Sequence, residues 1–224
     1  MSLVDSALPE WTGLNGLSAE DQAYRYIEQG IRTGRFRAGE RLIAENIAAE
    51  VGTSRMPVRE AFRRLAAEGL LLIRANRGAI VRALDAAGMR EVFEIRGVLE
   101  ALAAGVAATL MTPKGMAMLE HLLDRMESAN EDYSEWVTRH REFHEYLSGL
   151  AGMPRLQRQI SSLHSIIEPH MRIWLEHGEK PMSSREVHEE IMTVLRSGDR
   201  AAVEQVVRDH VSATIIPLQE LFRS

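Results

Sequence analysis

Two sets of residues in this chain have the types and spacing to do chemistry. The first is a group of imidazoles. Eight histidines are present and no cysteine, so disulfides and thiolate metal sites are excluded. His140 and His144 stand four apart, which on a helix places both rings on one face, a turn from each other, beside Trp136 and Leu147. His188 falls in the apolar stripe Val187, Ile191, Val194, Leu195, and His210 falls in Val203, Val206, Val207, Thr214. Three helices thus aim imidazole inward, where an unsatisfied polar ring is costly. Either hydrogen-bond partners inside the core satisfy these rings or a divalent metal gathers them. Neutral imidazole suits zinc, nickel, cobalt or iron, and H-x₃-H is a recurring ligand spacing.

Around this group stand further polar residues on apolar seams. Arg96 is the lone cation among Val92, Ile95, Leu99, Leu102, Ala103 and Val106. It pairs internally with a carboxylate such as Glu100, or it clamps the carboxylate of a bound acid. His164 and His170 share the seam of Ile160, Leu163, Ile167, Met171 and Trp174, so both are candidates to line the same cavity.

The second set is a stripe of guanidinium groups. Arg55, Arg59 and Arg63 repeat every four residues on one helix face, next to a buried face centred on Val58, Ala61 and Leu65. Ser54 precedes this helix as an N-cap and Pro57 sits in its first turn. The helix before it carries Ala44, Ile47, Ala48 and Val51 inward and is broken by Gly52-Thr53. Glu45, early in that helix, is read as a capping or pairing residue. Gly69 ends the second helix. Two short strands then flank an Asn76-Arg77-Gly78 turn. Helix, turn, helix and hairpin over residues 41–82 make a helix-turn-helix with a wing. Such a second helix fits the major groove, and Arg55 and Arg59 lie at the end that meets base edges.

The elements needed to hold these sets divide the chain in two. Residues 1–84 carry 12 Arg and 10 acids, and residues 85–224 carry 15 Lys+Arg and 22 acids. The total of −5 therefore hides a basic front on an acidic rear, as expected for a DNA reader joined to a domain with another task. Residues 1–17 are aperiodic and read as a flexible arm; 18–84 form the winged helix-turn-helix domain; 85–224 form an antiparallel six-helix bundle. Its helices are expected at about 86–111, 114–130, 133–150, 155–175, 184–196 and 200–221, with stops at Thr112-Pro113, Gly152-Met153-Pro154 and Gly198. The fold class is mainly α. No apolar run approaches the ~20 residues of a membrane span, and the N-terminus lacks a basic-then-apolar signal pattern, so a cytoplasmic location is expected.

The run 24–81 resembles the DNA-binding domain of the GntR family of bacterial transcription regulators. The resemblance rests on Ala38-Gly39-Glu40-Arg41-Leu42, Ser54-Arg55-Met56-Pro57-Val58-Arg59-Glu60-Ala61, Arg64-Leu65, Glu68-Gly69-Leu70, and Gly78 with Val81. It implies that Ser54, Arg55 and Arg59 touch bases or phosphates and that Gly78 sits at the wing tip; Arg63 and Arg77 join them as candidate DNA contacts. Residues 86–222 resemble the FCD effector domain that accompanies it, through Ile95-Arg96, Leu99-Glu100, Arg141-Glu142-Phe143-His144, Val187-His188 and Asp209-His210. Six helices resemble the VanR-like branch. Many such domains hold a metal through Asp-x₃-His and two later histidines, which implies His144, His188 and His210, with His140 where the family usually has Asp. Met153 stands where members often have Asn.

These readings together predict a transcription regulator, a repressor by family habit, that binds a palindromic operator in double-stranded DNA as a homodimer. A divalent metal, zinc foremost, and Arg96, His164 and His170 would bind a small carboxylic or sugar acid. Two other readings compete. One is a DNA-binding regulator whose rear domain serves dimerisation alone. The other is a helical-bundle metalloenzyme, disfavoured because His140-Arg141-Glu142-Phe143-His144 is not H-E-x-x-H and the front domain would go unexplained.

Overall fold

The computed structural model describes residues 16–74, 78–129, 132–177 and 184–216. Most of the expected N-terminal arm, Asn76 and Arg77 of the wing turn, and the stretch after 216 that was expected to end the last helix lie outside them.

The front domain begins with α1 (Ala19–Arg32), whose N-terminus is closed by Ser18: its hydroxyl accepts from the Asp21 N–H. Ala23, Tyr26, Ile27 and Ile31 form its buried face. Then follow β1 (Arg41–Leu42), α2 (Ala44–Val51), α3 (Arg55–Ala67), β2 (Leu71–Arg74) and β3 (Gly78–Val81). Gly52, at φ +72°, takes the left-handed turn between α2 and α3. The strand β1 was not anticipated. It pairs antiparallel with β3, giving a sheet of order β1-β3-β2 in which Leu42 faces Ala79. Gly78 (φ +83°) is bound by this pairing: a Cβ there would lie 2.3 Å from the Leu42 carbonyl oxygen.

The rear domain is made of α4 (Ala86–Thr109), α5 (Pro113–Glu127), α6 (Tyr133–Gly149), α7 (Pro154–His177), α8 (Ser184–Ser197) and α9 (Arg200–Ala213). Asp85, Thr112, Asp132 and Asp199 cap four of these with their side chains, as residue type would suggest. Small residues on α4 let α9 approach closely. A Cβ on Gly105 would meet the Glu204 side chain, and one on Gly97 would come within 3.7 Å of the Arg208 carbonyl oxygen. This contact brings His210 of α9 beside Arg96 of α4.

The seam expected on α4 is only partly buried. Val92, Arg96 and Ala103 are inside, while Ile95 and Leu102 face outward with Val98. Apolar residues surround most of this helix, so periodicity could not select the covered face.

The two domains meet along α1 and α7. Ile166 of α7 packs on the front domain's core, its Cδ1 near Gly69. Pro169 lies inside α7; lacking an N–H, it cannot bond the Ser165 carbonyl one turn earlier.

Candidate metal centre and nucleic-acid interface

Four imidazoles converge in the rear domain. His140 and His144 project from α6, His188 from α8 and His210 from α9, and one nitrogen from each lies within 4.8 Å of the others. Ring centroids are 4.4 Å apart for His140 and His144 and 4.6 Å apart for His188 and His210. Trp136 stacks on His140 at 4.9 Å, a wall of the site. Burial pushes the His140 imidazolium well below the usual histidine range, reinforced by repulsion from His144 and His188. Burial, with His144 adding, brings His210 down to about 3. His140 and His210 are therefore neutral at physiological pH, which is the ligand form.

His144 shows how the rings are oriented. Its Nδ1 lies 3.1 Å from Oε2 of buried Glu100, while its Nε2 is buried without a hydrogen-bond partner. A carboxylate behind one nitrogen and nothing before the other is the arrangement of a metal-ligating histidine with its supporting acid. Metal–nitrogen bonds of about 2.0–2.1 Å could close on this set with small ring movements. The donor set therefore fits a first-row divalent ion.

Beside the imidazoles, Arg96 donates from Nε to Glu100 Oε1 at 2.8 Å, both side chains 2% exposed. The internal pair anticipated for Arg96 is thus formed, yet its Nη1 remains buried with no hydrogen bond. Glu100 Oε1 also lies 3.2 Å from His164 Nε2. Burial opposes a charge on Glu100, but Arg96 and then His164 hold it well below the usual carboxylate range. Burial and Arg96 bring His164 down to about 4. A cavity of about 10 Å³ touches Arg96, His140, His144 and His210. That is room for about one water.

His170 is not placed with this group, which corrects the sequence reading. Its Nε2 accepts from the Leu84 backbone N–H at 3.2 Å, and its Nδ1 lies 3.3 Å from the Ile166 carbonyl oxygen. The same apolar seam carries His164 toward α4 and His170 toward the interdomain linker.

The second candidate surface lies on the front domain. The middle of α3, the start of α2 and the wing strands enclose an open groove of about 410 Å³ among Glu45, Arg59, Arg63, Arg74 and Gly78. Arg55 is exposed and pairs with Glu45 at 3.0 Å, so Glu45 pairs rather than caps. Arg63 pairs with Glu60 on its own helix. Ser54 holds the N-cap position of α3 but makes no side-chain cap bond. Sequence reasoning missed Arg41 and Arg74, which join this groove from β1 and β2; the two-residue β1 is too short to give a period.

Comparison with known proteins settles what the two halves are. Residues 19–81 match the bacterial regulatory proteins of the gntR family, and residues 91–213 match the FCD domain. The chain belongs to the GntR family. It is 30% identical over 189 residues to the Nta operon transcriptional regulator of Aminobacter aminovorans, covering 84% of this chain and 89% of that one. It is 28% identical over 192 residues to the HTH-type transcriptional repressor RspR of Escherichia coli strain K12, covering 85% and 84%. Among solved structures, E. coli McbR/YncC superposes with a TM-score of 0.80 at 25% identity, covering 92% of this chain and 99% of that chain. This GntR protein is thus a DNA-binding transcription regulator with a helical FCD domain, and its relatives are regulators rather than enzymes. No helix among its described residues is long and apolar enough to cross a membrane.

Proposed function

We propose that this regulator senses a small carboxylic or sugar acid at a divalent metal held by His140, His144, His188 and His210. Zinc is the first choice, with nickel, cobalt or iron as alternatives. The observation that carries this is the convergence of three buried imidazoles and the half-buried ring of His210, with His144 Nε2 lacking any hydrogen bond. Four neutral ligands leave the ion its full +2 charge, so a bound metal would supply Lewis-acid attraction for an anion. Arg96 and His164 would orient that anion from the opposite side.

The cavity of about 10 Å³ is too small for an organic acid. An effector must therefore displace neighbouring side chains or helices, and that displacement gives the two states different affinities, as any switch requires. On the front domain, Ser54, Arg55, Arg59, Arg63, Arg77 and Gly78 are the proposed DNA contacts. The regulator acts as a homodimer on a palindromic operator, in the cytoplasm, with repression as its mode. The outward apolar row Ile95, Val98 and Leu102 favours a second copy against α4. We place the domain boundary at 84/85 and the rear domain in the six-helix, VanR-like branch.

Metal analysis of the purified chain, joined to a melt screen of zinc-loaded protein against small acids, tests this. About one metal per chain is expected in the wild type and almost none in His144→Ala/His188→Ala. Stoichiometric metal in that variant would rule out the ligand set. The small cavity and the Arg96–Glu100 pair favour one competing reading, a rear domain for dimerisation alone; absence of both metal and any stabilising acid would establish it.

A further inference from the structure

The helix that carries His140 and His144 is tied to the front domain through one buried acid. Glu168 of α7, 3% exposed, receives guanidinium groups from three places. Arg32, the last residue of α1, donates from Nε at 2.8 Å. Arg141 of α6, next to His140, donates from Nη1 at 3.1 Å. Arg172, one turn along α7, donates from Nη2 at 3.3 Å.

We infer that Glu168 is a positioning residue of the regulator, fastening the imidazole-bearing helix α6 to the helix α1 that backs the DNA-reading surface. Arg172 also donates from Nε to the carbonyl oxygen of Arg32 at 2.6 Å, and so closes the C-terminal, electronegative end of α1 with a cation. A second strand of the same tie runs from Arg141 Nη1 to Ser165 Oγ (3.0 Å) and from Ser165 Oγ to Glu28 Oε1 of α1 (3.0 Å). Burial works against the Arg141 charge, yet Glu145 and Glu168 hold its pKa above the ordinary value.

Front and rear domains are joined covalently only by the segment before α4, where His170 holds the Leu84 amide. Both ties leave α7 within a few residues of Pro169, where the helix lacks a backbone bond. On the other side, α1 is clamped to α3: Tyr24 donates to Glu68 at 2.6 Å, and the Arg64 guanidinium lies 3.9 Å over the Tyr24 ring. A shift of α6 at the histidines therefore pulls on Arg141, Glu168 and Arg32 in turn, and α1 carries α3 with it. This is a contiguous chain of contacts of the kind that can carry coupling between two sites.

Amide hydrogen exchange on the full chain, with Glu168→Gln and Arg32→Gln as variants, tests this in two arms. Without metal, both variants are expected to speed exchange in the last turn of α1 and at Leu84 at least tenfold, leaving β2 and β3 unchanged. Unaltered exchange there would overturn the inference. Arg32 is partly exposed, so its variant carries the test if Glu168→Gln fails to fold.

The second arm rests on the proposed metal centre and uses zinc alone as probe. In the wild type, zinc is expected to slow exchange in α6 and α1; in the variants, the slowing stops at α6. Equal slowing of α1 in wild type and variants would overturn the tie. Zinc that leaves wild-type α6 unchanged would refute the metal centre, and the first arm would still decide the role of Glu168.

Discussion

Arginine serves opposite purposes in the two halves of this molecule. On the proposed DNA-reading face Arg55 and Arg63 are about two-thirds exposed, each with a single carboxylate partner in water. In the helical domain Arg96, Arg141 and Arg172 are nearly enclosed, and the acids Glu100 and Glu168 that they share are enclosed with them. Exposed pairs exchange readily for a phosphate or a base edge, because water has already weakened them. Buried pairs cannot be exchanged without leaving a charge stranded. The same side chain is thus free to exchange partners at one end and fastened at the other, and solvent access decides which.

The sharpest way to break that contrast is Arg96→Ala. Glu100 would keep its burial and lose its main counter-charge, so a cost of about 3–5 kcal/mol is expected in chemical denaturation. Replacing Arg96 and Glu100 together by Met and Gln should recover part of it; full stability of Arg96→Ala alone would show that the pair is not essential.

Acidification acts on the same enclosed groups. His164 in the folded chain titrates at about 4, and burial lowers His170 as well. The unfolded chain takes up these protons first, near the ordinary histidine value of about 6.5. Stability is therefore complete above that value and is lost as pH falls from about 6.5 toward 4. The melting temperature of metal-free protein should drop over this range, whereas a flat profile would mean that the rings are accessible in the native state.

Arg59→Ala tests the reading end. Loss of one bidentate base contact corresponds to about 1–3 kcal/mol, or roughly five- to 150-fold weaker operator binding, measured at fixed salt. The melting curve should hardly move. The smallest effect belongs to Glu45→Ala, which releases Arg55 from its surface partner: melting should stay at the wild-type value, and only the salt dependence of DNA binding should change.

Much of this arrangement was legible before any coordinates. Spacing of four put His140 and His144 on one face, and apolar stripes turned His188 and His210 inward; the structure brings all four together. Breakers located the junctions of the rear-domain helices to within a few residues, with Thr112-Pro113, Gly152-Met153-Pro154 and Gly198 standing between them, while the expected end of the last helix lies outside the described residues. What stayed hidden depends on long-range meeting. Nothing in the spacing of Arg32, Arg141 and Arg172 announces that they share the Glu168 carboxylate. His164 and His170 occupy one seam but diverge, because six residues on a helix are more than one and a half turns. Ile95 and Leu102 deceived for a different reason: on a helix apolar nearly all round, a stripe says nothing about which side has a neighbour.

Gly78 has one more consequence. Because β3 pairs with β1 and leaves no room for a methyl group beside the Leu42 carbonyl, this strand of the wing is stitched to the segment leading into α2, and so its place is tied to that of the proposed recognition helix. Groove and flank of an operator half-site are then gauged by a single callipers of fixed opening. Sequences that differ in the spacing between those two points should be rejected even when every base under α3 is correct.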